Sequence, residues 1–329
     1  MRICASVCAV LLLAAGVTIF AASQHTAAEP AGPLSARASA TNPPGGTPPT
    51  LLRVDSSLVL IPVHVTTAAG GTVTGLPRDA FQLFEDDAQQ TIASFFTEDA
   101  PVSVGILFDS SGSMRPKIHK SAEAAAAFFR TSNPDDEFFL IQFADRAHVV
   151  VPFTTDSGEI FNQIARTHPM GRTSLIDAIY LGCAQMKRSA RHQRRALVIF
   201  SDGGDNWSRH SLAEIRDLLL ESDVQVYAMG IFDFDYMHNH SIEERNGPAL
   251  LDELTTLTGG RHFPVDDLDQ LPEISERIGR ELHSQYLLGY YPTNAARDGK
   301  YRHVKVVLHV PNATELHTSY RTGYYGPAQ

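Results

Sequence analysis

The sequence predicts an α/β fold: a doubly wound, mostly parallel sheet inserted into a β-sandwich formed by the N- and C-terminal segments. Three observations predict it. Near-continuous apolar runs at 102–108, 196–201 and 224–231 read as parallel strands covered on both faces. Helical patterns at 116–130, 174–187, 212–222, 249–258 and 268–283 alternate with those strands. Strand-like segments flank this region on both sides, and neither flank holds enough of them to close a sandwich alone.

From the N-terminus, Arg2 precedes an apolar, small-residue stretch at 3–22, with Ala21-Ala22-Ser23 or Thr26-Ala27-Ala28 as cleavage sites. Residues 1–23 therefore read as an export signal, which places the mature chain in the periplasm, the cell envelope or the medium. The apolar stretch approaches the length of a transmembrane helix, so an uncleaved anchor is the alternative and the one route to a membrane. Cys4 and Cys8 lie inside this segment. Cys183 is then alone in the mature chain, which excludes an internal disulfide. It shares helical spacing with Leu175, Ile179 and Met186 and reads as a small buried apolar residue.

Residues 24–50 are rich in Pro, Gly and Ala and read as a disordered linker. Residues 51–98 form the first part of the sandwich, with strands at 58–66, 81–86 and 90–96 and a turn at 69–72. Residues 284–326 supply the rest, at 286–291, 302–310 and 315–320, with Val304, Val306, Leu308 and Val310 on one face. Between them, 100–283 is the inserted domain, in which 138–143 and 147–153 pair as a hairpin. Pro116 is expected in the first turn of a helix, where its missing N–H costs nothing.

Of the 329 residues, 43% are hydrophobic and 19% charged, as in a globular protein. The formal charge of −10 argues against a nucleic-acid backbone as partner, because that binding needs clustered cations. Arg191-His192-Gln193-Arg194-Arg195 reads as a solvated helix end before a strand, with a basic docking patch as the alternative.

The chemistry sits at strand ends. Asp109-Ser110-Ser111-Gly112-Ser113 directly follows the 102–108 run and puts a carboxylate and hydroxyls on one tight loop. Met170-Gly171-Arg172-Thr173-Ser174 adds a hydroxyl at a helix start, where Thr173 or Ser174 acting only as a cap is the plain alternative. Ser201-Asp202-Gly203-Gly204 ends a second strand in a carboxylate. In a parallel sheet all these ends share one rim, so Asp109 and Asp202 can face each other across a crevice. Oxygen ligands of this kind suit a hard cation, Mg2+ or Mn2+.

At these residues the chain resembles the von Willebrand factor A-domain family, with its metal-ion-dependent adhesion site. The pattern maps residue by residue onto Asp109, Ser111, Ser113, Thr173 and Asp202, and the resemblance covers about residues 100–283. The flanks, with Asp79-Ala80-Phe81 and Tyr286-Leu287-Leu288-Gly289-Tyr290, are similar to an exported bacterial subfamily of acidobacterial type. The resemblance implies a Rossmann-like domain and a metal-dependent, non-enzymatic adhesion module whose ion captures an Asp or Glu carboxylate of a protein partner.

Two other functions compete. One is a metal-assisted hydrolase or phosphotransferase using Asp109, but Ser111 stands where a second Asp would favour it. There is also no Gly-x-Ser-x-Gly elbow, Walker sequence or His-Glu-x-x-His. The other is a cell-envelope scaffold whose metal only stiffens the fold. Around the site, Asp205, Asn206 and Asp177 read as supporting groups or plain caps, and Trp207 as a partner contact or local packing. The 232–247 loop, with His238 and His240, reads as a specificity loop, with zinc binding as the alternative.

Overall fold

The computed structural model describes residues 58–97, 99–232, 246–311 and 315–328. The linker, the N-terminal segment and most of the 232–247 loop, with His238 and His240, lie outside the described residues. Among the described residues no helix is long and apolar enough to cross a membrane.

The strands are β1 (Val59–Thr67), β2 (Phe81–Glu85), β3 (Ala88–Gln90), β4 (Ile92–Phe96), β5 (Val102–Asp109), β6 (Glu137–Phe143) and β7 (Ala147–Thr154). After them come β8 (Arg194–Ser201), β9 (Gln225–Ile231), β10 (His262–Val265), β11 (Tyr286–Tyr290), β12 (Tyr301–Leu308), β13 (Leu316–Tyr320) and β14 (Gly323–Tyr325). The helices are α1 (Ile118–Phe129), α2 (Ser157–Ala165), α3 (Leu175–Ser189), α4 (Leu212–Glu221), α5 (Gly247–Thr258) and α6 (Leu271–His283).

The central sheet has the order β10-β9-β8-β5-β6-β7, parallel except for β7 at one edge. Every residue of β5 is buried, as the apolar run requires of a strand covered on both faces. Val104, Ile106 and Phe108 enter one apolar cluster with α1, α2 and α6, while Leu107 enters the other with α3, α4 and α5. The chain leaves β5 towards one face and β8 towards the other. Their carboxyl ends therefore flank the crevice of a doubly wound sheet.

Both ends of the chain build two four-stranded sheets, β13-β1-β11-β4 and β14-β12-β2-β3, paired antiparallel. The two share one apolar cluster, in which Phe81 of one sheet meets Tyr286 of the other at 4.9 Å between ring centres. Leu287 pairs with Phe96, so the chain enters and leaves the central sheet at neighbouring strands.

Several details depart from the sequence-based expectations. The helix expected from residue 116 begins at Ile118, because the Lys117 N–H still closes a turn onto Met114 O and leaves Pro116 in the approach. The 268–283 helix opens with a 3-10 turn, and α6 proper starts where Pro272 takes an early position without an N–H to lose. Short elements without strong periodicity were not expected: α2, β3, β14, and β10, which carries Pro264 at the edge of the sheet. Cys183 is buried as expected, and burial pushes its thiol up to about 12, which makes it inert.

A buried polar cluster ties α6 to the flanking strands. Glu281 on α6 accepts from Arg261 at 2.6 Å and Arg277 at 3.4 Å, and its other oxygen lies 3.6 Å from His64 of β1. Arg277 also donates to Gly70 O at 2.7 Å. Burial, helped by Arg261 and Arg277, pushes His64 down to about 3. The unfolded chain protonates this histidine near its ordinary value of about 6.5. Stability is therefore lost as pH falls from there towards about 3, since only the unfolded state gains the proton. A His64→Gln variant is expected to show a shallower acid decline of stability in urea denaturation between these limits; an unchanged slope contradicts the assignment.

Gly203, after β8, has a φ of +77°, and a Cβ there would lie 2.9 Å from the Gly247 backbone at the start of α5. Gly203→Ala adds a steric clash to a left-handed backbone cost of about 1–2 kcal/mol. The expected result is a clear fall in the urea midpoint, and an unchanged midpoint counts against this contact.

Candidate metal centre

The sheet register builds the site. Phe108 pairs with Phe200, so the next residues, Asp109 and Ser201, lie side by side at the ends of β5 and β8. Asp109 is fully buried. One of its oxygens accepts from Ser111 N at 2.8 Å, and the other from Ser201 Oγ at 2.5 Å. Burial raises the Asp109 pKa to about 7, and the nearby Asp202 carboxylate adds to the rise against the opposing hydrogen bonds.

Ser111 opens a 3-10 turn, Gly112–Met114, and its Oγ lies 3.1 Å from Ser113 Oγ. Met114 is wholly buried in the cluster under α1 and anchors the loop from below. Ser113 is half-buried and Ser111 only 1% exposed, so the hydroxyl pair sits at the edge of a fixed base.

The second loop is tied to the first through the backbone. Gly112 N donates to Gly171 O at 3.0 Å, and Met170 N to Ser110 O at 2.8 Å. Thr173 follows and is buried. Its N–H donates to Asn206 Oδ1 at 3.0 Å, and its carbonyl accepts from Asn206 N at 3.1 Å and Trp207 N at 3.0 Å. Thr173 therefore joins the Asp109 loop and the loop after Asp202 into one rim. The structure brings Asp109, Ser111 and Ser113 together directly, Asp202 by charge, and Thr173 through these backbone ties.

The supporting residues divide their work. Ser174 occupies the cap position of α3 but makes no side-chain cap bond. Asp205 does that work, accepting from Ile176 N at 3.3 Å and Ser208 Oγ at 2.5 Å. Asp177 anchors the β8–α4 loop, accepting from Arg209 N at 3.0 Å, His210 N at 3.1 Å and His210 Nδ1 at 2.7 Å. Burial opposes its ionisation, but these hydrogen bonds prevail and hold Asp177 below the usual carboxylate range. Trp207 is 49% exposed, with the Arg172 guanidinium 3.8 Å from its ring centre.

Sequence reasoning missed Lys117. It is 4% exposed, and its Nζ reaches Asp202 Oδ2 at 3.3 Å. The only signal was weak: a cation at a helix N-terminus runs against the helix dipole, which makes Lys117 an unusual residue at the start of α1.

The donor set fits a hard divalent cation, with two carboxylates and three hydroxyls on three interlocked loops. Among the described residues no group of three or more His, Cys, Asp or Glu is placed to hold a metal ion.

Residues 104–204 match the family model of the von Willebrand factor type A domain. An uncharacterised protein of Borreliella burgdorferi is 25% identical over 189 residues, 51% of this chain and 55% of that protein. The chain thus spans about half the length of the curated relative it matches. A von Willebrand factor type A structure from Catenulispora acidiphila is 13% identical with a TM-score of 0.48, over 82% of this chain and 75% of that one. An aerotolerance-related membrane protein from Bacteroides fragilis is 20% identical with a TM-score of 0.46, over 55% of this chain and 98% of that one. Proximal thread matrix protein 1 of the mussel byssus, solved with a zinc-occupied MIDAS motif, is 19% identical with a TM-score of 0.44, over 60% of this chain and 50% of that one. Within this fold, residues 104–204 are the part of the chain that matches the von Willebrand factor type A domain.

Proposed function

We propose that the chain is an exported, non-enzymatic binding protein that captures a carboxylate of a protein partner through Mg2+, or Mn2+, held by Asp109, Ser111, Ser113, Thr173 and Asp202. The observation that carries this reading is the Ser111–Ser113 hydroxyl pair, 3.1 Å apart, set beside a buried carboxylate whose two oxygens are both engaged. Neutral hydroxyls leave a divalent ion under-neutralised, and such an ion favours an added carboxylate. Mg2+ retains several waters, so an exchangeable position for that group fits its habits.

The rim supports an acidic partner. Arg115, Arg172 and Arg209 are exposed on the three loops, in a chain whose overall charge is −10. Trp207 and Met170, 49% and 67% exposed, add apolar contact area around them. Asp109 is a poor nucleophile in this setting, because it is buried and both of its oxygens accept hydrogen bonds. That weighs against a hydrolase or phosphotransferase. In this reading 1–23 is the export signal, 24–50 a tether, and 51–98 with 284–326 the β-rich base that carries the domain at 100–283.

Two measurements test it. Titration calorimetry of Mn2+ into the full chain is expected to give about one ion per chain, and Ser113→Ala is expected to weaken it by roughly ten-fold or more, since loss of even an outer-shell partner costs about that much. Trp207, the single tryptophan, reports on the partner. An Asp/Glu-rich peptide is expected to shift its emission in Mg2+ and not in excess chelator. Peptide binding that ignores the chelator overturns the metal-dependent reading.

A further inference from the structure

We propose that Lys117 is a tethered cation that competes with the divalent metal for Asp202 and so limits how tightly the ion is held. This rests on the metal reading above and concerns one residue of the chain that the adhesion-site pattern does not include.

The contact is specific and internal. Lys117 Nζ lies 3.3 Å from Asp202 Oδ2, and both side chains are almost wholly buried. Lysine is seldom buried, and an ammonium taken out of water needs a carboxylate to offset its lost hydration. Its backbone position is also fixed. Lys117 N donates to Met114 O at 2.9 Å, and Lys117 O accepts from Ser121 N and Oγ, each at 3.0 Å. The residue therefore belongs to the metal loop, held by the same turn that places Ser111 and Ser113, while its side chain crosses to the opposite carboxylate.

The charge balance gives the pair its consequence. Asp109 is satisfied by Ser111 N and Ser201 Oγ, and Asp202 has an ammonium beside it. The crevice is thus largely compensated by the protein's own groups. A divalent ion arriving next to Asp202 meets a like charge in a medium of low dielectric, where repulsion is strong. The flexible four-carbon stem of lysine lets the ammonium retreat, so binding is weakened rather than forbidden. A partner carboxylate adds the negative charge that the crowded site lacks. Metal and partner then strengthen each other's binding, and by linkage the effect is reciprocal.

The test is titration calorimetry of Mn2+ into four full-length proteins: wild type, Lys117→Met, Lys117→Arg and Asp109→Ala. Lys117→Met keeps the length and removes the charge, and its Kd is expected to tighten by at least roughly ten-fold. Lys117→Arg keeps the charge and is expected to stay near or above the wild-type Kd. Lys117→Gln serves if the Met variant does not fold, as judged by its circular-dichroism melt. A wild-type protein that binds Mn2+ while the neutral variants bind it equally or more weakly overturns the tethered cation alone. An arginine variant that tightens as much as the neutral ones overturns it too, because charge is then not the cause. If no variant and no wild type takes up Mn2+, the metal reading falls, and this one with it.

Discussion

A carboxylate placed at the end of a strand that sees no solvent is the constraint on which the rest of the site depends. All of β5 is buried, so Asp109 cannot turn to bulk water and must be satisfied where it stands. A buried polar group left without partners costs about 1–3 kcal/mol, and more when charged. The loop that follows answers this locally with the Ser111 N–H, and the neighbouring strand answers it with the Ser201 hydroxyl. Small hydroxyl residues around Asp109 are thus a structural requirement before they are anything else. The same requirement leaves the Ser111 and Ser113 oxygens within hydrogen-bonding distance of each other.

The three loops behave as one piece because their bonds run through the backbone. The 110–112 segment is stitched to 170–171, and the Thr173 carbonyl is stitched to the N–H groups of residues 206 and 207, while the Asn206 side chain adds a bond to the Thr173 N–H. Backbone ties hold position with little dependence on the side chains, so the rim is set by the fold itself. Arg172 and Trp207 sit beside these ties, which fixes a cationic and aromatic platform at the same edge.

Much of this was legible in the residues, and the parts that were not have physical reasons. The buried strands announced themselves as apolar runs, and the strand-end carboxylates, Asp109 and Asp202, followed from parallel topology. The long amphipathic helices were visible for the same reason, their period repeating over several turns. Elements of three to nine residues, such as β3, β10 and α2, carry too few periods to stand out from loop sequence. The roles of Asp177 and Asp205 depend on which backbone N–H groups fold back onto them, and spacing alone does not reveal that. Lys117 was hidden for a different reason. Its partner lies on another strand's loop, and a lysine near a helix start reads by habit as a solvated charge.

The pairing of β4 with β11 has a thermodynamic consequence. Phe96 and Leu287 face each other across one ladder, so the whole central domain is a loop closed by that ladder. Closing a long flexible loop carries an entropy cost that grows with the logarithm of its length. The folded domain removes most of that cost by holding its two ends side by side. Melting of the central sheet would return the cost to the strands at its base. The two layers are thereby coupled in unfolding through chain connectivity, over and above the contacts between them.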